Sequence, residues 1–238
     1  MCSVCSPIHF LCNNTQIFKT FIGVWDGLGI GLAWCVLWRT FVGMNLPLLP
    51  TTAPDATGPL SPAERTYALD LLRHTQEALR QALIGLSPAQ QQFVPAPNRW
   101  SVAQNAEHIV LVETGILAKV KYNLALPEDP AKRETLRLTD VDVIKSVRSR
   151  QAGIMAPDPF LPTGRYADVG EAMEAVDRLR QEAIAYVETE TGNFRTHYFN
   201  HFVFGTLDAY QAVLLLVSHG ERHRKQIEEV KASAGYPA

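Results

Sequence analysis

Leu216-Val217-Ser218-His219-Gly220-Glu221-Arg222-His223-Arg224-Lys225-Gln226-Ile227-Glu228-Glu229-Val230 sets Leu216, His219, His223, Ile227 and Val230 at spacings of three, four, four and three. That period draws one continuous stripe along an α-helix. Glu221, Arg222, Arg224, Lys225, Glu228 and Glu229 read as its solvated face. His219 and His223 therefore stack one turn apart on the side a packed helix buries. A desolvated imidazole left unpaired costs on the order of 1–3 kcal/mol, and here two need partners in one small volume. A divalent metal ion takes both nitrogens at once, and a third histidine from another helix would complete a facial triad. The residues between the pair are Gly220, Glu221 and Arg222, so the H-E-x-x-H pattern of metalloproteases is absent.

Three further helices carry written start signals. Ser61-Pro62-Ala63-Glu64 is a capping box with proline at the first helical position. Ser101-Val102-Ala103-Gln104 and Asp168-Val169-Gly170-Glu171 follow the same logic, and Thr206 is the expected cap of the final helix. Gly85, Gly192 and Gly235 mark expected stops. The first helix places Ala68, Leu72, Thr75, Leu79, Ala82 and Leu86 on one stripe, and the third does so with Val169, Ala172, Val176, Leu179, Ala183 and Val187. No strand-like alternation of comparable length competes. The expected fold is all-α, a four-helix bundle over residues 60–235. A long, proline-rich connection, Leu126 to Ala167, joins helices two and three and holds a short helix near Val141–Arg150. A connection of that length leaves the bundle topology open.

Composition narrows the function. The 238 residues carry 22 basic and 24 acidic side chains, a net charge of −2, with 47% hydrophobic residues. That is enough for a packed core and is no electrostatic footprint for nucleic acid. Gly-rich phosphate loops of the P-loop or dinucleotide type are missing. All four cysteines, Cys2, Cys5, Cys12 and Cys35, precede Met44, so the remainder reads as a cytoplasmic domain without disulfides. Cys2 and Cys5 form a C-x-x-C with no second pair to complete a zinc site.

Residues 1–43 form an apolar extension. Within it, residues 20–38 are nearly continuous in apolar character but contain Asp26 and four glycines, with Lys19 and Arg39 flanking evenly. Three readings stay open: a marginal membrane anchor, a docked hydrophobic arm, or sequence upstream of a true start at Met44. The abrupt change in composition favours the third, and no membrane partner is expected unless residues 20–38 act as an anchor. Residues 44–59 read as a Pro/Thr-rich linker.

The second helix adds His108, followed at one and two turns by Val112 and Ile116. Taken alone it reads as a core histidine bonded to a backbone carbonyl. Its neighbour Glu107 should point about a quarter-turn away, onto the polar face. Asn98-Arg99-Trp100-Ser101-Val102-Ala103-Gln104-Asn105-Ala106-Glu107-His108 resembles the Trp-Ser-plus-histidine opening of helix two in the DinB-like (DinB/YfiT) superfamily. His219-Gly220-Glu221-Arg222-His223-Arg224-Lys225-Gln226-Ile227 resembles that family's final helix, and His201-Phe202-Val203-Phe204-Gly205 is similar to the segment before it. The resemblance spans roughly Leu60 to Lys231.

It implies a four-helix bundle holding Zn²⁺ or Ni²⁺ through His108, His219 and His223. Some relatives join a low-molecular-weight thiol, such as bacillithiol or mycothiol, to a small electrophile. Three neutral donors leave a coordination position open, where an entering thiol would become thiolate at neutral pH. The expected function is accordingly a metal-dependent thiol S-transferase. The alternatives are a hydrolase using metal-bound water, and a stress-related binding protein in which the metal only braces the bundle. His201 is the expected substrate contact or acid/base, with helix-entry packing as the competing role. A small-molecule substrate is expected and no nucleic acid, with a homodimer left open.

Overall fold

The computed structural model describes residues 58–149 and 155–238. The apolar extension and most of the linker lie outside the described residues. Six α-helices and one β-hairpin are described: α1 Pro62–Leu83, α2 Pro88–Gln92, α3 Val102–Leu124, α4 Asp140–Arg148, α5 Val169–Thr189, β1 Tyr198–His201, β2 Gly205–Asp208 and α6 Ala209–Lys231. Short 3₁₀ turns at Pro130–Thr135 and Asp158–Phe160 lie in the long connection. The bundle consists of α1, α3, α5 and α6, as expected.

Local chemistry explains the helix starts. Ser61, Ser101 and Asp208 each close a reciprocal capping box with the third helical residue, and Thr139 does so for α4. Such caps stabilise a helix by about 1 kcal/mol each. Two expectations change. Thr206 does not cap α6: it pairs with Asn200 in the hairpin, and Asp208 takes the cap because the strand ends there. Asp168 caps α5, but Glu171 turns back to the Ala167 N–H, so that box stays open. Leu86 falls beyond α1, which stops when Gly85 adopts φ +74°. A fifth box, Ser87–Gln90, starts the short α2, which the sequence analysis did not assign.

Within the bundle the packed pairs are α1 with α5, α5 with α3, α3 with α6 and α6 with α1, so the successive bundle helices α1 and α3 lie diagonally opposite. The Tyr210 hydroxyl donates to the Glu64 carbonyl and Lys231 to the Ala82 carbonyl, so α1 and α6 run in the same direction. Arg65 reaches the Val187 carbonyl while Arg80 reaches Asp177, which sets α5 against α1. Glu113 pairs with Arg180 and Lys121 with Glu182, so α3 follows α5. The order is up-down-down-up, which the connection between α3 and α5 makes possible by returning the chain to its starting end.

Two apolar clusters fill the bundle. One gathers Leu72, Ile116, Ala183 and Val217, the other Leu79, Val110, Val176 and Ile227. Between these positions each helix contributes one polar or small residue: Thr75, Glu113, Arg180 and Gly220. Arg180 donates to both Glu113 oxygens at 2.8 and 2.5 Å and to Thr75 Oγ1 at 3.1 Å. A Cβ on Gly220 would stand 2.7 Å from Glu113 Oε1 and 2.8 Å from Arg180 Nη2, so glycine leaves the pair its room. Burial pushes the Glu113 carboxyl up against the opposing pull of Arg180. A second buried guanidinium, Arg195, gathers Glu64, Asp140 and Asp208, joining the starts of α1, α4 and α6.

Candidate metal centre

His108 comes from α3 and His219 and His223 from α6, the antiparallel neighbour. One atom offered by each ring lies within 4.8 Å of the others, an arrangement that could hold a metal ion. Ring centroids are 5.0 Å apart for His108 and His219, and 4.5 Å for each of the other two pairs. Among the described residues, no carboxylate or cysteine joins the group.

Two rings have their tautomer set by a neighbour. His108 Nδ1 donates to the Phe160 carbonyl at 2.7 Å, since a carbonyl can only accept. His223 Nδ1 donates to Asn105 Oδ1 at 3.0 Å, and the Asn105 amide is held the right way round by its bond to the Ser101 carbonyl at 2.9 Å. Both rings thus keep a lone pair on Nε2. His219 Nδ1 is buried with no hydrogen-bond partner. An orphaned imidazole nitrogen beside two rings whose Nε2 is the acceptor atom is a donor set that a divalent metal ion accepts.

Charge state agrees. Burial is the main force lowering the His108 pKa, opposed by the Phe160 carbonyl and aided by the Arg222 charge. Burial also leads for His219, which lies well below the ordinary value, with repulsion from His108, Arg222 and His201 adding to it. Neutral rings are what metal ligation requires. Trp100 covers one side: its ring lies 4.7 Å from His108 and stacks on His223 at 5.9 Å and 25°.

Other expected residues fall differently. His201 ends β1, and its Nδ1 accepts backbone N–H bonds from Val203 at 3.2 Å and Phe204 at 3.4 Å. The neutral ring therefore carries its proton on Nε2. Burial pushes its pKa down to about 4, so at neutral pH it is a hydrogen-bond donor rather than an acid. Glu107 is not on a polar face. It is buried, and its carboxylate accepts the Thr163 and Gly164 N–H groups, both at 2.8 Å. Arg222 likewise leaves the solvated face to donate to the Val147 and Ser149 carbonyls at 3.3 and 3.0 Å, which docks the end of α4 beside the centre.

Sequence reasoning gave no role to Asn105 or Phe160. Asn105 had a signal, because Ser101, Asn105, His108 and Val112 share one helical face. Phe160 had none.

The DinB superfamily pattern matches residues 71–227. Comparison with curated proteins gives no match. Among solved structures, YfiT from Bacillus subtilis, described as a probable metal-dependent hydrolase with an unusual four-helix bundle topology, aligns with a TM-score of 0.51 and 17% identity. The alignment covers 78% of this chain and 92% of that one. At that identity the likeness is one of fold.

Proposed function

The chain belongs to the DinB superfamily, and on that premise we propose that it is a divalent-metal-dependent enzyme acting on a small molecule through His108, His219 and His223. The observation that carries this reading is the convergence of three imidazoles, two of them hydrogen-bonded through Nδ1 in the tautomer that makes Nε2 the acceptor. When bound there, Zn²⁺ or Ni²⁺ would lower the pKa of an incoming nucleophile and polarise an electrophile.

The protein's own residues supply the remainder. Asn105 and the Phe160 carbonyl hold two rings in place, and Trp100 shields one flank from water. His201 can donate a hydrogen bond from Nε2, suited to a substrate oxygen or a departing anion. For the reaction we favour S-transfer, in which a low-molecular-weight thiol gives its proton to solvent and its sulfur bonds to the carbon of a small electrophile. That carbon's bond to a leaving group, such as halide, breaks as the anion departs. Three uncharged ligands support this, because they leave the ion's positive charge available to an anionic nucleophile. A second reading is hydrolysis by activated water, favoured by the description attached to YfiT.

Untagged protein loaded with one metal equivalent separates the two. Turnover of an aryl halide with bacillithiol, mycothiol, coenzyme A or glutathione supports S-transfer. Indifference to all four thiols with cleavage of an activated ester supports hydrolysis. Inactivity in both assays, with no metal bound, overturns the enzyme reading.

A further inference from the structure

Three residues of α3 address one short segment, residues 158–164. His108 Nδ1 donates to the carbonyl of Phe160. Glu107, the residue before it, is 3% exposed and accepts from Thr163 N at 2.8 Å, Gly164 N at 2.8 Å and Thr163 Oγ1 at 3.3 Å. Two turns further along, the Phe160 ring lies over Gly115, where a Cβ would come within 3.1 Å of it. The segment is thus strapped across α3 at three points, and one of those points is a member of the histidine cluster.

A buried carboxylate is expensive unless its oxygens are satisfied, and here both are committed to the strap. Three of the carboxylate's roughly four acceptor sites are taken up by the strap. Arg165 stands 4.0 Å from Oε1 and is largely exposed, so backbone N–H groups rather than an ion pair hold the carboxylate. Burying a charge for surface-loop anchorage alone is a poor exchange. The same clamp also fixes the height and direction of the Phe160 carbonyl. That carbonyl accepts the Nδ1–H of His108 and leaves Nε2 as the acceptor atom of a ring that stands beside His219 and His223.

We propose that Glu107 is a positioning residue of the metal centre, acting through the Thr163–Gly164 backbone to hold the Phe160 carbonyl and thereby the tautomer and orientation of His108. The proposal rests on the metal-site reading for its consequence but not for its geometry. Outer-shell partners of this type typically change metal affinity 10–100-fold when removed.

The test uses the full chain with Glu107→Gln, which keeps volume, and Glu107→Ala, which removes the acceptor. Ring ¹⁵N shifts of metal-free protein at about pH 8, where imidazoles are neutral, report the His108 tautomer directly. The wild type should show a single form protonated at Nδ1. Glu107→Ala should show a mixture or the Nε2-protonated form, with Glu107→Gln between them if Glu107→Ala folds and standing in for it otherwise. Zn²⁺ affinity, read by competition with a chromophoric chelator, should fall 10–100-fold in step. An unchanged His108 tautomer in whichever variants fold overturns the proposal, even if they melt earlier, because an anchor without a positioning role would lower stability alone. A wild type lacking a single Nδ1-protonated form overturns it too. A wild type that shows that form yet binds no Zn²⁺ overturns the metal reading, while the tautomer comparison still decides the role of Glu107.

Discussion

Asn105 and His223 face each other across the α3–α6 interface, with Asn105 Oδ1 accepting the Nδ1 proton of His223 at 3.0 Å. The same amide donates its Nδ2 proton to the Ser101 carbonyl, so it cannot flip without losing both bonds. The residue that starts α3 therefore orients a ring on α6. This makes the helix cap part of the site's architecture.

Replacing Asn105 should separate ring orientation from ring identity. Asn105→Ala leaves His223 in place but deletes its acceptor, and Zn²⁺ affinity should drop by about 10–100-fold. Asn105→Asp restores an acceptor with a full charge, so affinity should return to the wild-type level or exceed it. Chelator competition measures both.

Direct ligand deletion should have the larger effect. His219→Ala or His223→Ala leaves two imidazoles, and stoichiometric Zn²⁺ or Ni²⁺ should be lost on desalting. Elemental analysis of untagged protein reads this. Full retention of metal in both variants would remove α6 from the ligand set.

Gly220 should tolerate no side chain. Gly220→Ala drives a methyl against the buried Glu113–Arg180 pair, and overpacking of this kind destabilises by roughly 1–3 kcal/mol. Arg180→Met should destabilise by about 3–5 kcal/mol, since it strands a buried carboxylate. Urea unfolding of metal-free protein gives both values without interference from ligation.

Acidification should destabilise the fold in part through His201. Its folded pKa is depressed to about 4 from 6.5, so between those values the unfolded chain binds the extra proton. The contribution is fully present above pH 6.5 and is lost as pH falls towards 4. His201→Gln removes one titrating ring and should flatten the stability profile across that window relative to wild type. His108 and His219 add slopes of the same sign, so the difference between the two proteins is the quantity to read. Identical profiles would show that His201 is not desolvated in solution.

Much of this architecture is local and could be read from the chain. Ser61 and Ser101 cap where they should because a cap involves residues only three positions apart. The stripe of His219, His223, Ile227 and Val230 was legible because helical periodicity alone decides which residues share a face. The all-α class and the pairing of two histidines on one buried face follow from that information.

What the sequence could not contain was the meeting of distant segments. Whether α3 lies beside α1 or across from it depends on how the long connection returns, and no periodicity encodes that. Glu107 looked like a surface residue because its partners, Thr163 and Gly164, are 56 and 57 positions away. Asp208 displaced Thr206 as the cap of α6 because hairpin pairing holds Thr206 within the strand and places Asp208 at its end. By itself the sequence determined which helices form and which faces they bury, since those depend on hydrogen bonds and side-chain spacing within a few residues. The family resemblance implied His108 beside His219 and His223, but only the tertiary structure decided the geometry of their meeting and that a backbone carbonyl from the 158–164 strap orients His108. Those contacts are made between segments brought together by burial of the common core, and burial is a property of the whole packed bundle.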